Sequence, residues 1–157
     1  MNILMVCLGN ICRSPMAEYI FRDMLNKEGL ANRVSCASAA TSAEEIGNPV
    51  YPQAKRKLYS LGIRCDDKRA RQMTKQDYHH YDLLLGMENR NLAAMRRICG
   101  GDPDGKIHLL LENAAHPRDI ADPWYTGDFD AACRDIQEGC RLWLRYVKSV
   151  VEKTEKI

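Results

Sequence analysis

The sequence predicts an α/β protein, a four-stranded parallel sheet with helices on both faces in three layers. Three observations carry this. Four short buried-looking runs, NILMVCL (2–8), RVSCASA (33–39), DLLLGM (82–87) and KIHLLL (106–111), read as strands. Helical patterns alternate with them, the arrangement that pairs strands in parallel through crossovers. Right-handed crossovers then put the first strand in the centre, with ligands expected at the carboxyl ends of the strands.

Taken in order, the first strand breaks at Gly9-Asn10 and SPMAEYIFRDMLNKEG (14–29) follows, with Met16/Ala17, Ile20/Phe21 and Met24/Leu25 on one helical face. Ser14 is the expected N-cap, Pro15 the first helical residue and Gly29 the stop. After the second strand, TSAEEIGNPVYP (41–52) reads as a loop by its glycine, asparagine and prolines. A helix over 52–61 ends at Gly62, and a short one over 74–80 starts at Thr74, with Asp77 completing an acidic capping pattern. The third strand leads to a helix over 88–99 with Leu92, Met95 and Ile98/Cys99 in line. Residues 112–127 read as a polar loop. A last helix over 128–153 carries Phe129, Ile136, Cys140, Trp143 and Val147 on one stripe, best explained as core.

The 157 residues suit one domain, 1–157. With 45% hydrophobic and 28% charged residues the composition is that of an ordinary globular chain, and the net charge of +2 without a long basic run favours neither nucleic acid nor membrane partners. The opening apolar run lacks a basic flank and breaks early, unlike a signal peptide, and no run approaches a membrane span. Seven scattered cysteines, odd in number and without zinc spacing, fit a reducing cytoplasm better than a disulfide scaffold. His79-His80 point about 100° apart on a helix and make a poor metal pair. No metal and no cofactor is expected.

The chemistry concentrates in MVCLGNICRSP (5–15), at the sheet edge that topology had already selected. Gly9 and Asn10 tolerate the left-handed backbone that a tight anion-cradling loop requires. Successive amides in such a loop converge into a nest, and the following helix adds its positive end. Arg13 offers a planar fork to two phosphate-like oxygens. A thiol at Cys7 would be stabilised there as thiolate, with Ser14 as a hydrogen-bond donor to it. Taken singly, a cysteine at a strand end is usually packing and an arginine at a helix start usually faces solvent. It is the combination in a strand–turn–helix that argues for attack on a bound oxyanion. Neither GxGxxG nor GxxxxGK[ST] is present, so a nucleotide cradle has no support.

VCLGNICRSP (6–15) resembles the C-x5-R-S signature of the low-molecular-weight protein tyrosine phosphatases. The likeness extends along the chain: SAATS (38–42) is similar to the family's S-A-G-T segment, ARQ (70–72) recurs, and DPWY (122–125) resembles its D-P-aromatic loop. The resemblance implies a flavodoxin-like three-layer sandwich and a metal-independent hydrolase acting on phosphotyrosine proteins and small aryl phosphates through a phosphocysteine. Cys7 would be the nucleophile, Arg13 the phosphate fork and Asp122 the acid for the leaving phenolate. Asp119, without the following Pro-Trp, is the weaker rival and reads as a solvated loop acid. Leu8, Gly9, Asn10, Ile11, Cys12 and Ser14 would line the phosphate loop, with Asn10 holding its shape and Ser38 supporting it from the second strand. Trp124 and Tyr125 would either flank the substrate ring or anchor their own loop. Cys12 could form a reversible disulfide with Cys7, as the resemblance implies, or simply fill space beneath the loop. A phosphotyrosine protein is the expected partner and phosphate the product and inhibitor. A monomer with at most weak self-association is expected.

Three departures stand out. Lys68 occupies the position where the family often has a histidine, Ala40 replaces a glycine, and Glu44-Glu45 stand where some relatives carry an aromatic wall. The acids point to peptides with basic flanking residues. Among rivals, arsenate reductases of this fold use two further cysteines that 83–95 lacks. Arginine phosphatases carry a threonine where Ile11 stands, and phosphocysteine carriers or silent binding modules need neither Arg13 nor Asp122.

Overall fold

The computed structural model describes residues 1–155; the last two residues of the expected 1–157 domain lie outside that range. One four-stranded parallel sheet has the order β2-β1-β3-β4, built from β1 (Asn2–Cys7), β2 (Ser35–Ala40), β3 (Leu83–Gly86) and β4 (Ile107–Leu109). The first strand is central, as right-handed crossovers require.

Alternation along β1 assigns the two faces. Ile3 and Met5 join α1 (Arg13–Lys27), α2 (Pro52–Ser60) and α6 (Phe129–Glu155) in one core cluster, with Met16, Phe21, Leu58, Ile136, Trp143 and Val147. Leu4 and Val6 face the other way, onto Tyr78 of α3 (Lys75–His80) and Leu92 and Met95 of α4 (Asn89–Cys99). Strands buried on both faces leave only their ends for chemistry. Two close approaches lock the layers: a Cβ at Gly86 would lie 2.7 Å from Leu92 Cδ2, and one at Gly139 would lie 2.9 Å from the Leu110 carbonyl oxygen.

Boundaries moved where tertiary bonds compete with pattern. The fourth strand, expected over 106–111, stops at Leu109 because the Leu110 carbonyl accepts from Trp143 Nε1 (3.0 Å) and the chain turns onto α6. Leu110 and Leu111 remain fully buried, so their apolar character reports burial and not extension. The second strand begins at Ser35, not 33, since Arg33 and Val34 turn back on the Leu30 carbonyl. Within the loop expected over 112–127, Pro123–Thr126 forms a single helical turn, α5. The capping at Thr74 is as expected, its amide donating to Asp77 Oδ2 at 2.8 Å.

Candidate active site

Residues 7–13 connect the end of the central strand to α1. Asn10 is the one non-glycine with positive φ (+60°) among the described residues. Gly9 does not share that conformation, contrary to expectation. An added Cβ there would meet only Glu45 Cγ at 3.4 Å and Ile11 Cγ1 at 3.9 Å, ordinary van der Waals contacts. The loop carbonyls are spoken for by the segment after β2: Thr41 N donates to Cys7 O (2.9 Å), Ser42 N and Oγ to Leu8 O (3.1 and 2.9 Å), and Tyr51 N to Ile11 O (2.9 Å).

Cys7 is almost fully buried, and its Sγ receives the Asn10 amide at 3.3 Å and lies 3.0 Å from Ser14 Oγ. Ser14 is not the N-cap: α1 starts at Arg13 with Cys12 in the capping position. The Ser14 hydroxyl is used elsewhere, accepting from Asn10 Nδ2 (2.8 Å) while facing the thiol. Beneath the loop Asn10 Nδ2 also donates to Ser38 Oγ (2.9 Å), and Asn10 Oδ1 accepts the Arg71 amide (3.2 Å). The positive φ is thereby over-determined by side-chain bonds, which is how a strained backbone persists.

Arg13 lies at the back of the pocket, 1% exposed. Its Nη1 donates to the Ile120 carbonyl (2.9 Å) and meets Glu88 Oε2 (3.1 Å), and its Nη2 meets Asp122 Oδ2 (3.2 Å). Burial would lower its proton affinity, but Cys7, Glu88 and Asp122 outweigh this and raise it above the ordinary arginine range. Burial first, then the charges of Cys7 and Asp122, push the Cys12 thiol up to about 12, so it is neutral at physiological pH.

Asp122 caps α5, its Oδ1 accepting the Trp124 amide at 3.0 Å, which leaves Oδ2 at the pocket. Asp119 points elsewhere, its Oδ1 bonding the backbone and side-chain nitrogens of Asn89 at the start of α4 (2.8 and 2.9 Å). The pocket is lined by Cys7, Leu8, Gly9, Ile11, Cys12 and Arg13 below and by Glu44, Glu45, Asp122, Trp124 and Tyr125 around the mouth. Every residue expected at the loop or its rim is therefore brought together, with Asn10, Ser14 and Ser38 directly underneath. Trp124 is also anchored, edge-on to Tyr51 at 4.9 Å, and Tyr51 stacks on Phe129.

Three contributors escaped the sequence reading. Glu88 and Tyr51 are two; Glu88 lies two residues past the third strand, so the sheet-edge rule could have flagged it. Glu18 is the third, a buried carboxylate accepting from Ser38 Oγ at 2.6 Å, on a helical face where pattern gave no warning. Among the described residues no three His, Cys, Asp or Glu side chains gather as metal ligands, and no helix is long and apolar enough to cross a membrane.

A thiol in the floor of an amide loop, a buried guanidinium behind it and a carboxylate on the rim together make a site for attack on a tetrahedral oxyanion. The comparisons agree on the class. The family model for low molecular weight phosphotyrosine protein phosphatase matches residues 2–156. The low molecular weight protein-tyrosine-phosphatase YfkJ of Bacillus subtilis is 38% identical over 94% of this chain and 96% of its own. The crystal structure of YfkJ superimposes with a TM-score of 0.90, covering 95% of each chain. The mouse low molecular weight phosphotyrosine protein phosphatase is 35% identical over 98% of this chain and 95% of its own. A crystal structure of a Drosophila arginine phosphatase, 28% identical, covers 94% of this chain and 98% of its own with a TM-score of 0.87. The chain belongs to the low molecular weight phosphotyrosine protein phosphatases, a family of hydrolases.

Proposed function

We propose that this protein hydrolyses protein phosphotyrosine through a phosphocysteine, without metal or cofactor, in a single domain of this family. The observation that carries the reading is the setting of Cys7 Sγ, in contact with the Asn10 amide and Ser14 Oγ in the same pocket as Arg13 and Asp122. The Cys7 thiolate attacks phosphorus. The P–O bond to the phenol breaks, and Asp122 gives its proton to the departing oxygen. Arg13 and the amides of Leu8, Gly9, Asn10, Ile11, Cys12 and Arg13 hold the equatorial oxygens, where charge develops. Of the Arg13 contacts, that to Asp122 is the longest. An arriving phosphate displaces it most readily, which frees the carboxyl to serve the leaving group. In the second step Asp122 takes a proton from water, the water oxygen bonds phosphorus, and the S–P bond breaks to release phosphate and thiolate.

Trp124 and Tyr125 at the mouth give a ring two apolar walls, which suits phosphotyrosine over the shorter phosphoserine. Cys12 acts as the partner that captures an oxidised Cys7 in a disulfide before the sulfenic acid proceeds to sulfinic. Its neutral thiol makes that capture slower than the attack of a thiolate. Seven cysteines, all free, are consistent with a cytoplasmic protein. We take it to act as a monomer.

The test is a rate comparison on phosphotyrosine, phosphoserine and phosphoarginine peptides with chelator present and Cys7→Ser as control. Turnover of phosphotyrosine, lost in the variant, is the expected result. A preference for phosphoarginine would move the chain to the activity named for the Drosophila neighbour, despite Ile11. Tight phosphate binding without turnover would leave a binding module.

A further inference from the structure

The chain reaches Asp122 along residues 112–121, a stretch without helix or strand whose side chains are mostly exposed. Two ties bring its end to the sheet edge. The Ile120 amide donates to the Met87 carbonyl at 2.9 Å. One residue earlier, Asp119 takes two donors from Asn89 on a single carboxylate oxygen, Oδ1: the backbone amide at 2.8 Å and Nδ2 at 2.9 Å. We propose that Asp119 is a positioning residue for the acid: clamped on Asn89, it holds the Asp122 carboxyl at the place where the leaving phenolate departs. Asp119 itself does not line the pocket. The inference rests on Asp122 being the acid of the proposed reaction.

The clamp has a firm footing. Asn89 opens α4, where the first amides find no carbonyl within the helix and the helix end favours a negative charge. Two residues on, the buried Asn91 uses its Oδ1 to accept the amides of both Met87 and Glu88, each at 3.1 Å. The amides of residues 87, 88 and 89 are therefore all held by side-chain oxygens, the first two by Asn91 and the third by Asp119. The turn after β3 is fixed by bonds of its own, and Asp119 extends that order to the segment carrying the acid.

The contact also closes a circuit through Arg13. Nη1 of Arg13 has two acceptors, Glu88 Oε2 at 3.1 Å and the Ile120 carbonyl at 2.9 Å. Glu88 precedes Asn89 in the chain and Ile120 follows Asp119, so the Asp119–Asn89 contact constrains the spacing of those two acceptors. Nη2 meets Asp122 Oδ2 at 3.2 Å, and this tie is given up when a phosphoryl oxygen takes the nitrogen, as the proposed reaction requires. What then still holds the acid is its bond to the Trp124 amide and the anchoring of the chain two and three residues before it. Arg118, the neighbour on the other side, is tied to a different layer: its Nη2 meets Asp135 at 2.7 Å and Glu138 at 2.9 Å, both on α6. It serves as the control for a general loosening of the segment.

The experiment compares kcat/KM on phenyl phosphate, whose leaving group needs a proton, with kcat/KM on p-nitrophenyl phosphate, whose leaving group needs it far less. Each variant is checked by thermal melting, and exchange of the Ile120 amide is followed by NMR. Asp119→Ala should lower the rate on phenyl phosphate roughly 3- to 10-fold, the worth of one or two hydrogen bonds, and that on p-nitrophenyl phosphate by less than about 2-fold. The Ile120 amide should exchange faster. Asp119→Asn keeps Oδ1 as an acceptor and should recover most of the loss. Asn89→Ala spares the backbone donor and should show a smaller loss of the same pattern, while Arg118→Met should keep the wild-type ratio of the two rates. In an Asp122→Ala background Asp119→Ala should not change the ratio further, since no acid is left to position. Equal losses on both substrates in folded Asp119→Ala, an Asn variant no better than the Ala variant, or an Arg118→Met that shifts the ratio as much, overturns the proposal. If Asp119→Ala does not fold, Asn89→Ala decides: an unchanged ratio overturns the proposal, a lowered rate on phenyl phosphate alone supports it. A ratio unmoved by Asp122→Ala, with faster Ile120 exchange in Asp119→Ala, would overturn Asp122 as the acid and leave Asp119 as the anchor of its segment.

Discussion

Beneath the pocket Asn10, Ser14 and Ser38 are at most 1% exposed and bonded to one another, whereas Trp124 and Tyr125 at its mouth are 52% and 78% exposed. Asn10 alone makes four hydrogen bonds from its backbone amide and side chain. Tyr125 is tied by its amide, which donates to the Asp122 carbonyl within its own helical turn (3.1 Å). The floor is therefore pre-organised, with its polar groups oriented before any substrate arrives, and it can stabilise developing charge without reorganising. The rim is not. What both substrate and transition state share, the phosphoryl group, meets the rigid part; what varies between substrates, the ring and its peptide, meets the adaptable part.

Substitutions on the two sides should separate cleanly. Replacing the proposed nucleophile, Cys7→Ser, should abolish turnover, a loss on the order of 10⁴-fold or more, while the melting temperature holds. Appreciable activity would mean the floor does not hold the nucleophile. Asp122→Ala, at the junction of floor and rim, should lower kcat about 10²- to 10³-fold on phosphotyrosine and far less on a phosphate ester with a good leaving group. Equal losses on both would remove Asp122 as the acid. Asn10→Ala should act on stability as well as rate. It forfeits three side-chain hydrogen bonds and leaves alanine at a φ of +60°. A loss of about 2–4 kcal/mol in chemical denaturation is expected. A loss under about 0.5 kcal/mol would show the floor to be far looser than its hydrogen bonds imply.

The same division governs how much could be read from the sequence. Cys7, Arg13 and Ser14 were legible because local spacing and position at the sheet edge both report them, Asp122 because DPWY resembles the family's D-P-aromatic loop, and Lys68 was noticed only as a departure from that family's pattern. The partners that make the floor rigid were not legible. Glu18 sits among apolar residues on α1, where periodicity treats a carboxylate as solvent-facing, and its burial depends on Ser38, Arg22 and Lys68 arriving from elsewhere in the chain. Ser14 looked like a cap by residue type. It is a helix residue whose hydroxyl is claimed by Asn10, a competition that no local rule weighs. Strand ends went astray for a similar reason, since the bond from Trp143 to the Leu110 carbonyl ends β4 from 33 residues away.

At the rim the effects should be smaller and should fall on KM. Trp124→Ala removes one wall of the mouth, which rests edge-on against Tyr51. An aromatic pair is worth about 0.5–1.5 kcal/mol beyond its buried area, so KM for phosphotyrosine peptides should rise roughly 3- to 10-fold with kcat nearly unchanged. A fall in kcat instead would place Trp124 with the floor. Glu44→Gln should do least. Glu44 is exposed, and a charge in solvent contributes only about 0.2–1 kcal/mol to a pair. A peptide with lysine or arginine beside the phosphotyrosine should lose about 2- to 5-fold in kcat/KM, a peptide with neutral neighbours nothing, and added salt should erase the difference. The salt arm matters most, because a structural change in the loop would persist at high ionic strength while a charge preference would not. A loss that is the same for both peptides and indifferent to salt would mean the rim reads shape alone.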